Sequence, residues 1–438
     1  MKGAQHSAKN TAKNISLIVL VVMLGVLCAA NWLAGMNIAQ MPADNLLRRA
    51  YDHLFGGAVG YELRSSGVAA AEPAQLALTV DGQLYGVQYN MTEIDAGLSA
   101  VRSVWSQALS DGELTESSDE ELIAALGAGD CAMLRYHGAI PLSVIAGWMG
   151  GSWQEGGERQ AETLVYAAGA ERLFVRTPDG VVYSAQARVD RSVLESAQQE
   201  FRGMPCKFSG GSYAVYPETL LFDNETLTLP LLDEQEINLF AAQSGAGLEG
   251  LLSAFGFTAY TDFYDEQNGQ ARVFVDNAST LRVNASGLLQ YASAGGDSTV
   301  YAYDEGEVSG QSALDAQLDC ARLILDEALR AGETDTHASL YAVQQSGDQT
   351  TLVFMQMYGG VPILGDSDFA TFRFEDGVLS SATIRLQRFA ARSTRRTVLP
   401  ARQAAAGADA AERSMMVAYR MQEDGPYIPS RFYLNDNA

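Results

Sequence analysis

Histidine, cysteine and positive charge are all scarce in this 438-residue chain, and each scarcity closes off a class of chemistry. His6, His53, His137 and His337 are scattered, with no His-Glu-x-x-His and no other metal-ligand spacing, so no metal site is expected. Cys28, Cys131, Cys206 and Cys320 form no Cys-x-x-Cys pair. Cys28 lies in an apolar run; of the other three, at least one has no partner within the chain. They read as small buried hydrophobes, with room for one adventitious bridge. Lysine and arginine together number 29 against 53 aspartates and glutamates, a formal charge of −24. A surface of that sign repels phosphate backbones, so no nucleic-acid partner is expected. No Gly-x-Ser-x-Gly elbow, Walker loop or dinucleotide glycine fingerprint occurs, and no cofactor or small-molecule substrate is expected.

Acidic residues are missing altogether before Asp44, whereas Lys2, Lys9 and Lys13 stand in the first 13 residues. Between these lysines and the acidic body runs "ISLIVLVVMLGVLCAANWLA", Ile15 to Ala34, without a charge. About twenty residues at about 1.5 Å each cross a ~30 Å hydrocarbon core. The lysines then place the N-terminus in the cytoplasm and the rest outside the cell membrane. Trp32 falls near the outer headgroups. A cleaved signal peptide is the competing reading, since Cys28-Ala29-Ala30 supplies small residues. The apolar run is long for such a leader, which favours retention. Leu27 before Cys28 is too bulky for a lipoprotein site. Gly25 and Ala29, four apart, offer a close-approach face to another span, although small residues are common in any span.

Beyond the span, Pro42 to Phe55 reads as a short helix ending at Gly56-Gly57. Four segments then repeat one pattern: an alternating strand, a tight turn ending in Gly, and a second alternating strand. They begin at Leu76, Leu173, Leu281 and Phe372. Helical periodicity separates them over 93–109, 117–126, 140–151, 192–201, 312–330 and from Leu399-Pro400 onward, with Ser117 and Glu120 as a capping pair. The expected fold is α+β: one N-terminal transmembrane helix, then two or three small domains of antiparallel hairpin-rich sheets packed on helices. The expected layout is a tail over 1–13, the span over 14–35 and a juxtamembrane helix over 36–59. An α+β domain follows over 60–205, a strand-rich middle domain over 206–310 and a C-terminal α+β domain over 311–438.

Gly365-Asp366-Ser367 looks like the nucleophile block of a secreted serine hydrolase. No histidine follows His337, however, and alternating "FATFRF" replaces the helix such a serine needs, so a polar turn is the better reading. Acidic pairs such as Asp119-Glu120 and Asp265-Glu266 read as solvated faces, and "DEQNG" from Asp265 lacks the ligands of a calcium loop. One stretch reverses the charge: Arg385, Arg388, Arg392, Arg395, Arg396 and Arg402 occur with no acidic residue between Asp376 and Asp409. Such an island suits an acidic partner face, an anionic polymer or lipid headgroups, or is simply a solvated strand end.

In pattern and layout the chain resembles the YycH/YycI family of regulators in low-GC Gram-positive bacteria. The likeness rests on the span, on "CAMLRYHGAIPLSVIAGWMGG", on "RVFVDNASTLRVNASGLLQYAS" and on "VFMQMYGGVPILGDSDFATFRFEDGVLSSATIRL". In the last, Tyr358, Gly359, Pro362, Ile363 and Gly377 fill the family's strand–turn–strand segment. The resemblance implies a non-enzymatic accessory, anchored by one helix and facing outward. It also implies association with a paralogous single-span regulator and with a sensor histidine kinase that controls cell-wall metabolism. Gly25, Ala29, Arg385, Arg388, Arg392, Arg395 and Arg396 are the candidate partner contacts. A ligand-binding or inhibitory module of the envelope and a tethered envelope hydrolase are the rival readings; a large apolar pocket with convergent polar groups would favour the former.

Overall fold

The fold comes from a computed structural model, which describes residues 70–434 apart from 111, 154–155, 224, 242–244, 259, 277–278, 294–299, 301, 303–310, 410–412 and 423–424. The expected span, the helix over 42–55, Gly25 and Ala29 therefore lie outside the described residues, all of which belong to one unit, Leu63–Ala438. No described helix is long and apolar enough to cross a membrane.

All four repeated patterns form hairpins. The first pairs β1 (Gln75–Val80) with β2 (Gln83–Gln88) around Asp81-Gly82, whose φ angles of 51° and 75° suit the tight turn that a right-twisted hairpin requires. Helix α1 (Met91–Ala108) follows, capped by Asn90, and lays Ile94, Leu98, Val101 and Trp105 on the sheet. Strand β3 (Thr115–Ser117) leads into α2 (Asp119–Leu126). The cap of α2 is Ser118, which accepts from the Glu121 N–H at 3.3 Å, one residue beyond the expected Ser117–Glu120 pair; Ser117 instead donates its hydroxyl to Glu121 at 2.5 Å. Then come β4 (Cys131–Pro141) and α3 (Leu142–Met149), the latter begun by Pro141 and stopped by Gly150 at φ 79°. Strands β5 (Gln160–Ala167), β6 (Arg172–Arg176) and β7 (Val182–Gln186), helix α4 (Arg191–Glu200) and β8 (Met204–Phe208) complete this part. The resulting antiparallel sheet has the order β8-β2-β1-β4-β5-β6-β7-β3.

After β9 (Leu220–Phe222) and β10 (Thr228–Gln235), α5 (Gly245–Ala254) packs against α6 (Gln311–Ala331). In α6 the expected face of Leu314, Leu318, Ala321, Leu325 and Ala328 is buried throughout. The strands between these helices are β11 (Phe263–Glu266), β12 (Ala271–Asp276), β13 (Ser279–Asn284) and β14 (Leu288–Ser293). Those beyond them are β15 (His337–Ser346), β16 (Gln349–Tyr358), β17 (Val361–Leu364), β18 (Ala370–Glu375) and β19 (Val378–Arg385). They form a second antiparallel sheet, β11-β12-β13-β14-β19-β18-β16-β15, so strands from either side of residue 310 share one layer through the β14–β19 pair.

Strand β20 (Arg388–Thr397), helix α7 (Ala401–Gly407) and strands β21 (Ser414–Met421) and β22 (Tyr427–Leu434) close the chain. A third sheet runs β20-β10-β22-β21-β17, parallel only at β17–β21. The architecture is a sheet-rich mixture of helices and strands, α+β as expected.

Two devices join the first sheet to the others. Gly138 in β4 lies so close to β15 that a Cβ there would stand 2.1 Å from the Tyr341 carbonyl oxygen. Charged groups from distant segments also meet. Arg135 donates to Ser414 at 2.7 Å and lies 3.2 Å from Glu162, while Glu225 accepts from Gln88 and from Arg431, each at 2.7 Å. The three described cysteines are free, and burial pushes each thiol up to about 12, which leaves them inert at neutral pH.

Candidate functional site

Most of the arginine island lies on one strand. Among the described residues β20 pairs with β10 alone, so no described strand covers its outer edge, and it is exposed from Ala390 to Thr397. The pairing register explains how so charged a strand is held. Between Pro230↔Arg395 and Leu232↔Ala391, three residues of β20 (Arg392, Ser393 and Thr394) oppose Leu231 by itself. This bulge bends the strand and disturbs the ladder, a feature common on sheet edges.

Arg392 grips Asp233 with both arms of its guanidinium at 2.7 and 2.5 Å, which holds the Asp233 carboxyl below its ordinary pKa. Arg388 stands 3.7 Å from Glu333, and Arg395 donates to the Thr228 carbonyl at 2.9 Å. Arg396 is exposed without an ion pair among the described residues, and Arg402 lies exposed on α7. Arg385 is separate from these: it ends β19 and faces a cleft.

That cleft is produced by strand pairing. β16 joins β18 through Gln349–Phe354 and β17 through Met357–Tyr358, so at Met355 and Gln356 the strand passes from the second sheet to the third. The sheets diverge there and leave a cleft of about 700 Å³. Its walls carry Met355 from β16 and Met416 and Met421 from β21, with Arg385 and Arg420 among the charged groups. On another wall Gln387 donates to the Tyr427 hydroxyl at 3.0 Å and to Glu234 at 3.3 Å. Burial, with Glu234 nearby, raises the Tyr427 hydroxyl above its ordinary pKa.

Gly365-Asp366-Ser367 forms part of the cleft rim as an exposed loop between β17 and β18. No histidine is among the residues lining the cleft. His137 is buried beside Tyr89, with ring centroids 6.3 Å apart, and burial, reinforced by Arg135 and His337, pulls its pKa down to about 3. No described group of three His, Cys, Asp or Glu residues could hold a metal ion.

The cleft itself was not foreseen from the sequence. Its lining is drawn from β10, β15, β16, β17, β19, β21, β22 and the 365–369 loop, and no local pattern links segments so far apart in the chain. The loop at 365–367 stood out for its resemblance to a nucleophile block, while its neighbours in space are set by long-range pairing.

No family model matches the chain, and no curated protein matches it. Among solved structures, the crystal structure of YycH from Bacillus subtilis aligns with 84% of this chain and 99% of its own, at 13% identity and a TM-score of 0.46.

Proposed function

We propose that the chain is a single-pass membrane protein whose outward-facing body modulates a sensor histidine kinase of a cell-wall-related two-component system by protein–protein contact. One observation carries the binding part of this reading: β20 has exposed arginines and an outer edge unpaired among the described residues, on a chain of net charge −24. A surface of reversed sign attracts an acidic partner face and gives the encounter an orientation. The direction towards a kinase comes from the resemblance in sequence pattern, and the tether from the uncharged run over 14–35. On this reading the protein performs no chemistry: Ser367 is a polar turn residue, and the work lies in binding two kinase states with different free energy.

The test is capture from membranes in mild detergent. The expected result is recovery of a histidine kinase together with a second single-span protein. Charge reversal in Arg395→Glu and Arg396→Glu is expected to reduce that recovery, and Leu at Gly25 and Ala29 to loosen contact between spans. Recovery of neither partner from membranes that contain both would refute the reading.

A further inference from the structure

We propose that the cleft between the second and third sheets binds a short extended peptide. The peptide would donate a main-chain N–H to Gln356, rest an apolar side chain on the methionines and place a carboxylate against Arg385 and Arg420. This inference goes beyond the kinase-directed reading and stands without it.

The first argument is an unpartnered acceptor. Gln356 is 1% exposed, and its amide nitrogen donates to Thr336 Oγ1 at 2.7 Å and to the Gln387 carbonyl at 2.6 Å. A carbonyl only accepts, so the orientation of the amide is settled, and Oε1 is left buried without a hydrogen-bond partner. A buried acceptor in that condition lowers stability until a donor reaches it. Gln356 lines the cleft, so an occupant that displaces the atoms covering Oε1 can supply the donor.

Charge supplies the second argument. Arg385 and Arg420 are exposed at the cleft and form no ion pair among the described residues, although Arg392 nearby in sequence is tightly paired. Asp366 and Asp368 stand on the rim loop. Guanidinium groups matched to a carboxylate, with carboxylates available for an amino group or basic side chain, fit a peptide, which carries both signs and regularly spaced N–H donors.

The lining gives the third. Met355, Met416 and Met421 present unbranched, polarizable side chains that adapt to more than one apolar shape, as suits side chains that vary. About 700 Å³ falls within the usual size of a small-ligand site and leaves room for a few residues.

The experiment pans a phage-displayed library of random hexapeptides against the full chain in detergent micelles, then measures synthetic copies of the enriched peptides by fluorescence anisotropy. Enrichment of peptides that share an apolar residue and a carboxylate is expected. Affinity should fall about tenfold in Arg385→Gln and in Arg420→Gln, the loss expected of one charge-assisted hydrogen bond. Met421→Trp, at the exposed methionine of the cleft, adds bulk there and should abolish binding while the far-UV spectrum and unfolding midpoint stay those of the wild type. The proposal is overturned if no peptide is enriched, if the bound peptides are indifferent to both arginine variants, or if a neutral oligosaccharide displaces them at equal concentration. The kinase is absent from this assay, so a failure here and a failure of the capture experiment are distinct results.

Discussion

Arg176 in the first sheet and Arg392 on β20 make the same bidentate contact with a carboxylate, but in opposite surroundings. The Arg176 side chain is 2% exposed, pairs with Glu218 and lies 2.8 Å from Asp119. It also stacks 3.9 Å from the Tyr216 ring, against which Arg413 stands at 4.4 Å while reaching the other Asp119 oxygen at 2.5 Å. Burial works against both charges in the Arg176–Asp119 pair. Even so, the carboxylates hold Arg176 above its ordinary pKa, and the two guanidiniums hold Asp119 below its own. Arg392, by contrast, is 43% exposed and gives up little hydration to meet Asp233. Breaking the buried set strands charges in a poor dielectric, whereas breaking the exposed pair returns two ions to water. One arrangement is suited to joining remote segments, the other to exchanging partners.

The sharpest way to break this contrast is Arg176→Met. Removing the guanidinium leaves buried Glu218 without its counter-charge and Asp119 with Arg413 alone, and a loss of about 3–5 kcal/mol in unfolding free energy is expected from urea titration. A loss no larger than that of a surface arginine would mean that the buried set does not join the segments. Gly138→Ala attacks the same junction through sterics. The added methyl would meet the Tyr341 carbonyl at 2.1 Å, so backbone must shift, at a cost of about 1–3 kcal/mol in the same titration. Faster proteolysis between the first and second sheets should accompany it.

Local signals carried far in this chain, but only as far as they are local. The turns at Asp81-Gly82 and Asp376-Gly377, the proline and glycine that bound α3, and the buried face of α6 all follow from residues a few positions apart. Each formed where periodicity placed it. The arginine island was equally visible, because its members are close in sequence and lie on one strand. The cleft was not, since Glu234, Gln356, Met416 and Tyr427 meet only after β16 has changed sheets. The Arg176–Glu218–Asp119–Arg413 set was hidden for the same reason. In a chain with 53 acidic residues nothing marks Asp119 or Glu218 as the ones that meet these arginines.

Acidification sharpens the contrast from another side. His137 titrates at about 6.5 when unfolded but near 3 in the fold. Above pH 6.5 it is neutral in both states and contributes no pH dependence. Between about pH 6.5 and 3 only the unfolded chain takes up the proton, so stability falls with falling pH, by about 1.4 kcal/mol per pH unit from this residue. Asp119, held below the usual carboxylate range, adds a loss that begins only below about pH 4. Urea titrations at about pH 7.5, 5.5, 4.5 and 3.5 sample both windows. His137→Phe is expected to remove this residue's share of the slope between about pH 6.5 and 3, leaving the Asp119 loss below about pH 4 in place; a slope between about pH 7.5 and 4.5 unchanged by that variant would show that His137 takes its proton in the folded state.

The smallest effect on stability belongs to Arg396→Glu, and it bears most directly on function. Arg396 is exposed on β20 and has no ion pair among the described residues to lose, so the unfolding midpoint should stay at the wild-type value. On the proposed function, reversing its charge replaces attraction with repulsion for an acidic partner face, so capture of the proposed kinase partner should weaken several-fold at low salt. The gap between variant and wild type should narrow as added salt shortens the range of the interaction. A lowered midpoint with unaltered capture would invert the assignment, making β20 part of the framework and leaving the partner to be sought on another face.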